Sequence, residues 1–229
     1  MSELLTKIRR VRAANQELVD LHVMVIDDNS PDGTSDVVKQ MMTEDQSIQL
    51  MKRDRRYGFA QAYIAGFKHM LENGYDIAIT MDADLSHDPQ VIPSLLLHIL
   101  EADLVIGSRY VPEGGIINWP LYRLCLSKFA NIYASAITQM NIRDCTAGFQ
   151  CLTRSLVEKI DWSSIHTEGY AFLIELKHLA IRLGARVKEI PIVFVDRKMG
   201  SSKISKGVVF EAVWMVWKLF FAKLKQRKR

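Results

Sequence analysis

The sequence predicts an α/β fold built on a mostly parallel sheet, and three observations carry that prediction. Short apolar runs rich in Val and Ile recur along the chain, stretches with helical spacing separate them, and unusual polar residues follow three of the runs directly. In open sheets of this kind ligands sit beyond the carboxyl ends of the strands, so these polar tips are where chemistry is expected.

In chain order, residues 3–13 alternate charged and apolar positions at helical spacing and predict a first helix. The run at 21–26 predicts a strand that ends in Asp27-Asp28-Asn29-Ser30-Pro31-Asp32-Gly33, with Thr34 and Ser35 placed as N-caps for a helix over 35–42. A weaker run at 48–51 precedes a helix over 60–72, which Gly74 closes. The run at 77–81 ends in Asp82-Ala83-Asp84, and Asp88-Pro89 opens a helix over 90–100. The run at 104–106 ends in Gly107-Ser108-Arg109. Helices over 121–139, 168–183 (closed by Gly184) and 206–225 complete the pattern. No repeat or low-complexity linker interrupts it, so the simplest partition is one domain over 1–205 with an appendage over 206–229.

Composition narrows the function classes. The 229 residues are 48% hydrophobic and 24% charged, ordinary for a globular chain. Cys125, Cys145 and Cys151 form no C-x-x-C pair, which argues against a disulfide framework or a cysteine zinc site and fits a reducing, cytoplasmic compartment. The formal charge of +4 is concentrated at Lys223, Lys225, Arg227, Lys228 and Arg229, which leaves a nearly neutral body. That basic end suits anionic headgroups better than a nucleic-acid groove. Residues 1–12 lack the apolar core of a signal peptide. No G-x-G-x-x-G follows a strand and no G-K-S/T occurs, which disfavours nicotinamide dehydrogenases and P-loop ATPases.

Asp82 and Asp84 place two carboxylates on one short turn, where they can share a hard cation with diphosphate oxygens or simply form a surface turn. Asp28, Ser30, Asp32 and Gly33 resemble half of a calcium loop, but Lys39 stands where a bidentate Glu is required. A nucleotide-facing Asp28 and a structural Asx turn are both compatible with that stretch. Arg109, Arg123, Arg197 and Lys203 lie beside Gly, Ser or Pro and suit phosphate recognition as a group, although each alone also reads as a solvated charge. Cys145 and Cys151 read as small core residues, and His22, His69, His98 and His178 as structural. Phe210, Val213, Trp214, Trp217, Phe220, Phe221 and Leu224 recur at helical spacing, which fits an in-plane amphipathic membrane helix or packing against the body or a partner.

The ordered set V-I-D-D-N-S-P-D-G-T, M-D-A-D-L-S-H-D-P, G-S-R-Y, N-W-P-L-Y-R-L-C-L-S-K-F-A-N, D-C-T-A-G-F, E-G-Y-A-F and R-K-M-G-S-S-K resembles the polyprenyl-phosphate (dolichol-phosphate) mannosyl synthases. These are inverting glycosyltransferases of family 2 with a GT-A fold, and the likeness covers nearly the whole chain. It implies transfer of mannose from GDP-mannose to a polyprenyl monophosphate, peripherally on the cytoplasmic membrane face, with Mg2+ or Mn2+. The membrane surface and an integral membrane subunit are the implied partners, and no nucleic acid is. By the same resemblance Ile26 and Asp28 contact the nucleotide, and Asp82, Ala83 and Asp84 the metal and diphosphate. Arg197 and Lys203 line the donor phosphates, and Arg109, Arg123 and Ser127 hold the acceptor phosphate; Asp82, Asp84 and Arg109 are the implied catalytic set. An acceptor phosphate is already anionic near neutral pH, so no general base is required.

Two departures from the family pattern matter. Ser86 replaces the usual Gln of the metal shell, which predicts weaker metal binding through a direct or water-mediated hydroxyl. The chain also lacks the family's opening strand ending in P-T-Y-N-E, so residues 1–12 read as the helix that follows it, and that strand's neighbours are expected to have unpaired backbone groups. Glucosyl transfer from UDP-glucose and a non-catalytic membrane-surface or regulatory module are the competing readings.

Overall fold

A computed structural model describes residues 1–165, 167–196 and 217. The elements run α1 (Ser2–Ala14), β1 (Val23–Asp27), α2 (Thr34–Glu44), β2 (Ile48–Lys52), α3 (Phe59–Glu72), β3 (Ile77–Thr80), α4 (Ile92–Ile99), β4 (Leu104–Ser108), β5 (Gly115–Ile117), α5 (Leu121–Thr138), β6 (Gln150–Thr153), α6 (Arg154–Lys159), α7 (Gly169–Arg182), β7 (Val187–Pro191) and β8 (Val193–Val195). Every helix and strand read from the sequence within these residues is present. The appendage over 206–229 lies outside the described residues except for Trp217, which is exposed.

Three ladders form. β1 pairs with β2 in parallel, β5 with β8 in parallel, and a mixed sheet runs β3-β6-β4-β7. In that sheet β4 and β7 are parallel, while β6 lies antiparallel between β3 and β4, with Ile79 opposite Cys151 and Val105 opposite Cys151 on the other side. The antiparallel insertion departs from the all-parallel pattern that alternating strands and helices suggest. It brings the 144–149 loop back across the ends of β3 and β4, where the site forms.

β1 and β3 have no mutual ladder. Both lie against α3, and His22, just before β1, meets the Tyr75 hydroxyl, just before β3, at 2.9 Å. The residues just before the two strands therefore lie side by side. α1 covers both ladders: Leu5 packs with Val38, Met41 and Ile48, whereas Val11 packs with Ile92, Leu95 and Phe149. The spacing of Leu4, Leu5, Ile8 and Val11 makes this possible, because it keeps one helix face apolar and buried.

Two capping expectations resolve in detail. The α2 N-cap is Gly33, with φ of 77° and no side-chain cap, not Thr34 or Ser35. Asp32 accepts the Thr34 N–H at 3.0 Å instead. Gly74 and Gly184, at φ of 77° and 81°, sit two residues past the helix ends, where the chain takes a left-handed backbone.

Candidate active site

The tip of β1 turns its first carboxylate inward. Asp27 is 3% exposed and accepts the Ser30 N–H at 3.1 Å and the Ser35 hydroxyl. Burial pushes its pKa up, but these hydrogen bonds outweigh that and hold it below the usual range. Asp28 is bound by Arg53 from the end of β2. The Asx turn expected here is built on Asp32, which accepts the Thr34 N–H, and Asp28 carries an arginine partner.

At the tip of β3 the chain kinks at Leu85, a non-glycine residue at φ of 66°. The kink lets Asp84 accept both the backbone N–H of Ser86, at 3.0 Å, and its hydroxyl. Ser86 is 1% exposed, so its hydroxyl orients Asp84 from behind and stays off the cavity wall. His87 Nδ1 accepts the Asp82 N–H at 3.1 Å, and its ring stacks on Phe149. Burial lowers the His87 pKa despite the neighbouring Asp82, favouring the neutral imidazole with its proton on Nε2. Among the described residues no group of three His, Cys, Asp or Glu is arranged to hold a metal. Asp82 and Asp84 both face one cavity, and two carboxylates completed by diphosphate oxygens are a usual donor set for Mg2+ or Mn2+.

Beyond β4, Arg109 is committed to Asp144. Its Nε and Nη2 bind the two carboxylate oxygens at 2.7 Å each, its backbone N–H adds a third bond at 3.0 Å, and Nη2 also reaches Thr146 Oγ1 at 2.9 Å. Burial opposes both charges, yet the mutual attraction prevails: Arg109 is pushed up and Asp144 held down. Lys177 of α7, fully buried, donates to the Ala147 carbonyl at 2.8 Å. Gly148 lets this loop pass close to α3, because a Cβ there would come within 3.0 Å of Tyr63 Oη. Burial drives the Cys145 and Cys151 thiols up to about 12, in keeping with core residues.

On α5, Arg123 Nη1 binds Asp196 at 2.9 Å, and the guanidinium carbon lies 3.9 Å from the centre of the Trp119 ring. Arg123 Nε and Trp119 Nε1 are enclosed and have no hydrogen-bond partner among the described residues. Ser127 accepts the Tyr110 hydroxyl at 2.7 Å.

One cavity of about 330 Å³ gathers Asp82, Asp84, His87, Arg109, Trp119 and Arg123. Ile26, Asp28, Ser86 and Ser127 are not on its wall, Ala83 is an exposed residue of the β3 tip, and Arg197 and Lys203 lie outside the described residues. Sequence reasoning passed over His87, Asp144, Trp119 and Asp196. The first three sit inside quoted motifs, but nothing local to them announces their partners.

The profile of glycosyl transferase family 2 matches residues 4–161. The chain is 44% identical over 191 residues to an undecaprenyl-phosphate mannosyltransferase of Micrococcus luteus, covering 83% of this chain and 79% of that one. It is 42% identical over 198 residues to a polyprenol monophosphomannose synthase of Mycolicibacterium smegmatis, covering 86% and 75%. Among solved structures, glucosyl-3-phosphoglycerate synthase from Mycobacterium tuberculosis, crystallised with Mn2+, UDP-glucose and phosphoglyceric acid, superposes with a TM-score of 0.66 at 16% identity, over 93% of this chain and 75% of that one. That likeness bears on the fold, which is GT-A.

Proposed function

The chain belongs to glycosyl transferase family 2, and we propose that it moves mannose from GDP-mannose to a polyprenyl monophosphate at a membrane surface. The observation that carries this reading is the single cavity that joins the Asp82/Asp84 carboxylates to the Arg123–Trp119 pair. Relatives more than 40% identical that bear polyprenol-phosphate mannosyl names supply the substrate class.

In this reading Asp82 and Asp84 hold Mg2+ or Mn2+, which when bound offsets charge on the departing diphosphate. Ser86 fixes the Asp84 carboxylate, and His87 fixes the backbone of Asp82. Ile26, Asp28 and Ala83 belong to the nucleotide side, with Arg197 and Lys203 on its phosphates. Arg109 braces the 144–149 loop through Asp144 and presents charge to the cleft. The acceptor phosphate sits at Arg123, whose guanidinium lines the cavity beside Trp119. Ser127 supports that helix turn. The acceptor is anionic without help, so the site's task is to hold two phosphate groups together against their repulsion.

α5 supports the membrane part. Its outer face exposes Leu121 (74%), Tyr122 (74%), Leu126, Phe129 (66%) and Ile132, its sequence holds no acidic residue, and Arg123 points from the same helix to the cavity. Such a face suits the interfacial zone of a bilayer in which a polyprenyl chain stays embedded. No helix among the described residues is long and apolar enough to cross a membrane; the reading takes the location as peripheral on the cytoplasmic face because the acceptor is a lipid phosphate at the headgroup plane.

The test offers the protein GDP-mannose or UDP-glucose with Mn2+ and polyprenyl phosphate. Mannolipid formed from GDP-mannose, and abolished in a folded Asp84→Ala variant, is the expected result. Use of UDP-glucose alone would replace this reading by glucosyl transfer. No turnover with either donor would replace it by a non-catalytic surface module.

A further inference from the structure

β8 and the residue after it touch both sides of the cleft at once. The Val195 N–H donates to the Ser86 carbonyl at 3.2 Å, behind Asp84, and the Asp196 N–H donates to the Ile117 carbonyl at 3.1 Å, two residues before Trp119. Between these ties the Phe194 ring meets His87 at 5.5 Å and Trp119 at 5.6 Å, both close to perpendicular. His87 holds the Asp82 N–H, and Trp119 lies against Arg123. An unbroken line of rings thus runs from the backbone of Asp82 to the Arg123 guanidinium, with Phe194 at its middle.

We propose that Phe194 is a positioning residue that sets the spacing between the Asp82/Asp84 turn and Arg123. The inference rests on the reading above, in which those two sides hold the donor diphosphate and the acceptor phosphate. Phe194 lines the same cavity but has no polar side-chain atom with which to hydrogen-bond either substrate. Its effect comes from a flat, stiff ring whose edge-to-face contacts on both sides fix two neighbours at once. A branched aliphatic side chain fills much of the same volume but offers no ring edge. Reacting atoms must approach to roughly 3–3.5 Å, and a misplacement of about 1 Å costs about 100-fold in rate, so loss of the ring should fall on transfer rather than on binding.

The experiment compares wild type with Phe194→Leu and Phe194→Tyr. GDP with Mn2+ is titrated calorimetrically, farnesyl phosphate binding is followed by indole fluorescence, transfer is measured at saturation, and amide hydrogen exchange is read over 82–87 and 118–123. For Phe194→Leu, both ligands are expected to bind within about threefold of wild type while kcat falls about 100-fold, and Phe194→Tyr is expected to recover most of it. Exchange should quicken in both segments together. A Phe194→Leu enzyme with near-normal kcat, or one that loses binding of both ligands along with its transition temperature, would overturn the positioning role. A wild type that transfers no sugar sinks the functional reading instead, and the exchange measurement then decides the coupling by itself: quickening in only one segment refutes it.

Discussion

β4 (LVIGS) and β1 (VMVID) are each five residues long and start with comparably apolar sequence, yet β4 is buried at every position and β1 only at Asp27. β4 lies between β6 and β7, whereas β1 has β2 alone. β3 shares the condition of β1: it is laddered only to β6 and half-buried throughout. Apolarity made each segment a strand, but the number of neighbours decided its depth. The ion pairs at the strand tips follow the same division. On the β4 side Arg109, Asp144 and Lys177 are enclosed and bonded, while the Asp28–Arg53 pair beside β1 keeps 23% and 11% of its side chains exposed.

The sharpest way to break this comparison is through the two ion pairs. Asp144→Asn leaves the buried Arg109 uncompensated and should lower the unfolding free energy by about 3–5 kcal/mol. Asp28→Asn, at the more open pair, should cost about 0–1 kcal/mol. Urea midpoints at neutral pH measure both, and equal losses would show that the two halves do not differ in how they hold charge.

A smaller contrast is expected between apolar positions. Ile106→Ala on β4, at 0% exposure, should cost about 2–5 kcal/mol, and Ile79→Ala on half-buried β3 about 1–2 kcal/mol. If Ile79→Ala proves as costly as Ile106→Ala, burial at the β3 edge is deeper in solution than the ladder pattern implies.

A further contrast is a pH dependence. Burial holds the Lys177 ammonium down to about 8, from an ordinary 10.5, although Asp144, Cys145 and Glu189 favour its charge; Arg109 opposes it. The folded chain releases this proton first, so across the window from about 8 to 10.5 the unfolded chain binds more protons. The contribution of Lys177 to stability therefore rises with pH there, and the cost of its buried charge is present in full below the window. Wild-type stability minus that of Lys177→Met should climb over that range, and a flat difference would place the ammonium in contact with water.

The strand runs, most helices and the three polar tips were legible because each is local: a period, a cap, or an acid after an apolar run. What escaped the sequence depends on distant pairing. β6 holds Gln150 and Cys151 in a four-residue strand with no alternation to reveal it, and its antiparallel direction is set by β3 and β4. β5 and β8 are three residues each and exist through each other. Asp144 meets Arg109 across 35 positions, and no spacing rule reaches that far. Asp82, Asp84, Arg109 and Arg123 were chosen from their motifs, and the cavity unites them. Ser86 and Asp28, chosen in the same way, turn to protein partners. The outward apolar face of α5 was also missed, since a helix with apolar residues on several sides reads from sequence as simply buried.

The Arg109–Asp144 pair also closes a neck. Everything from Tyr110 to Arg143, including β5 and α5, leaves the sheet at one member of the pair and returns at the other, where Glu189 additionally accepts the Arg143 and Asp144 N–H groups at 2.8 and 2.9 Å. The segment that carries Arg123 is thus an excursion buttoned at its base. Evolution can lengthen, shorten or reshape such an excursion to suit a different acceptor while the sheet beneath keeps its register, provided the button is left in place.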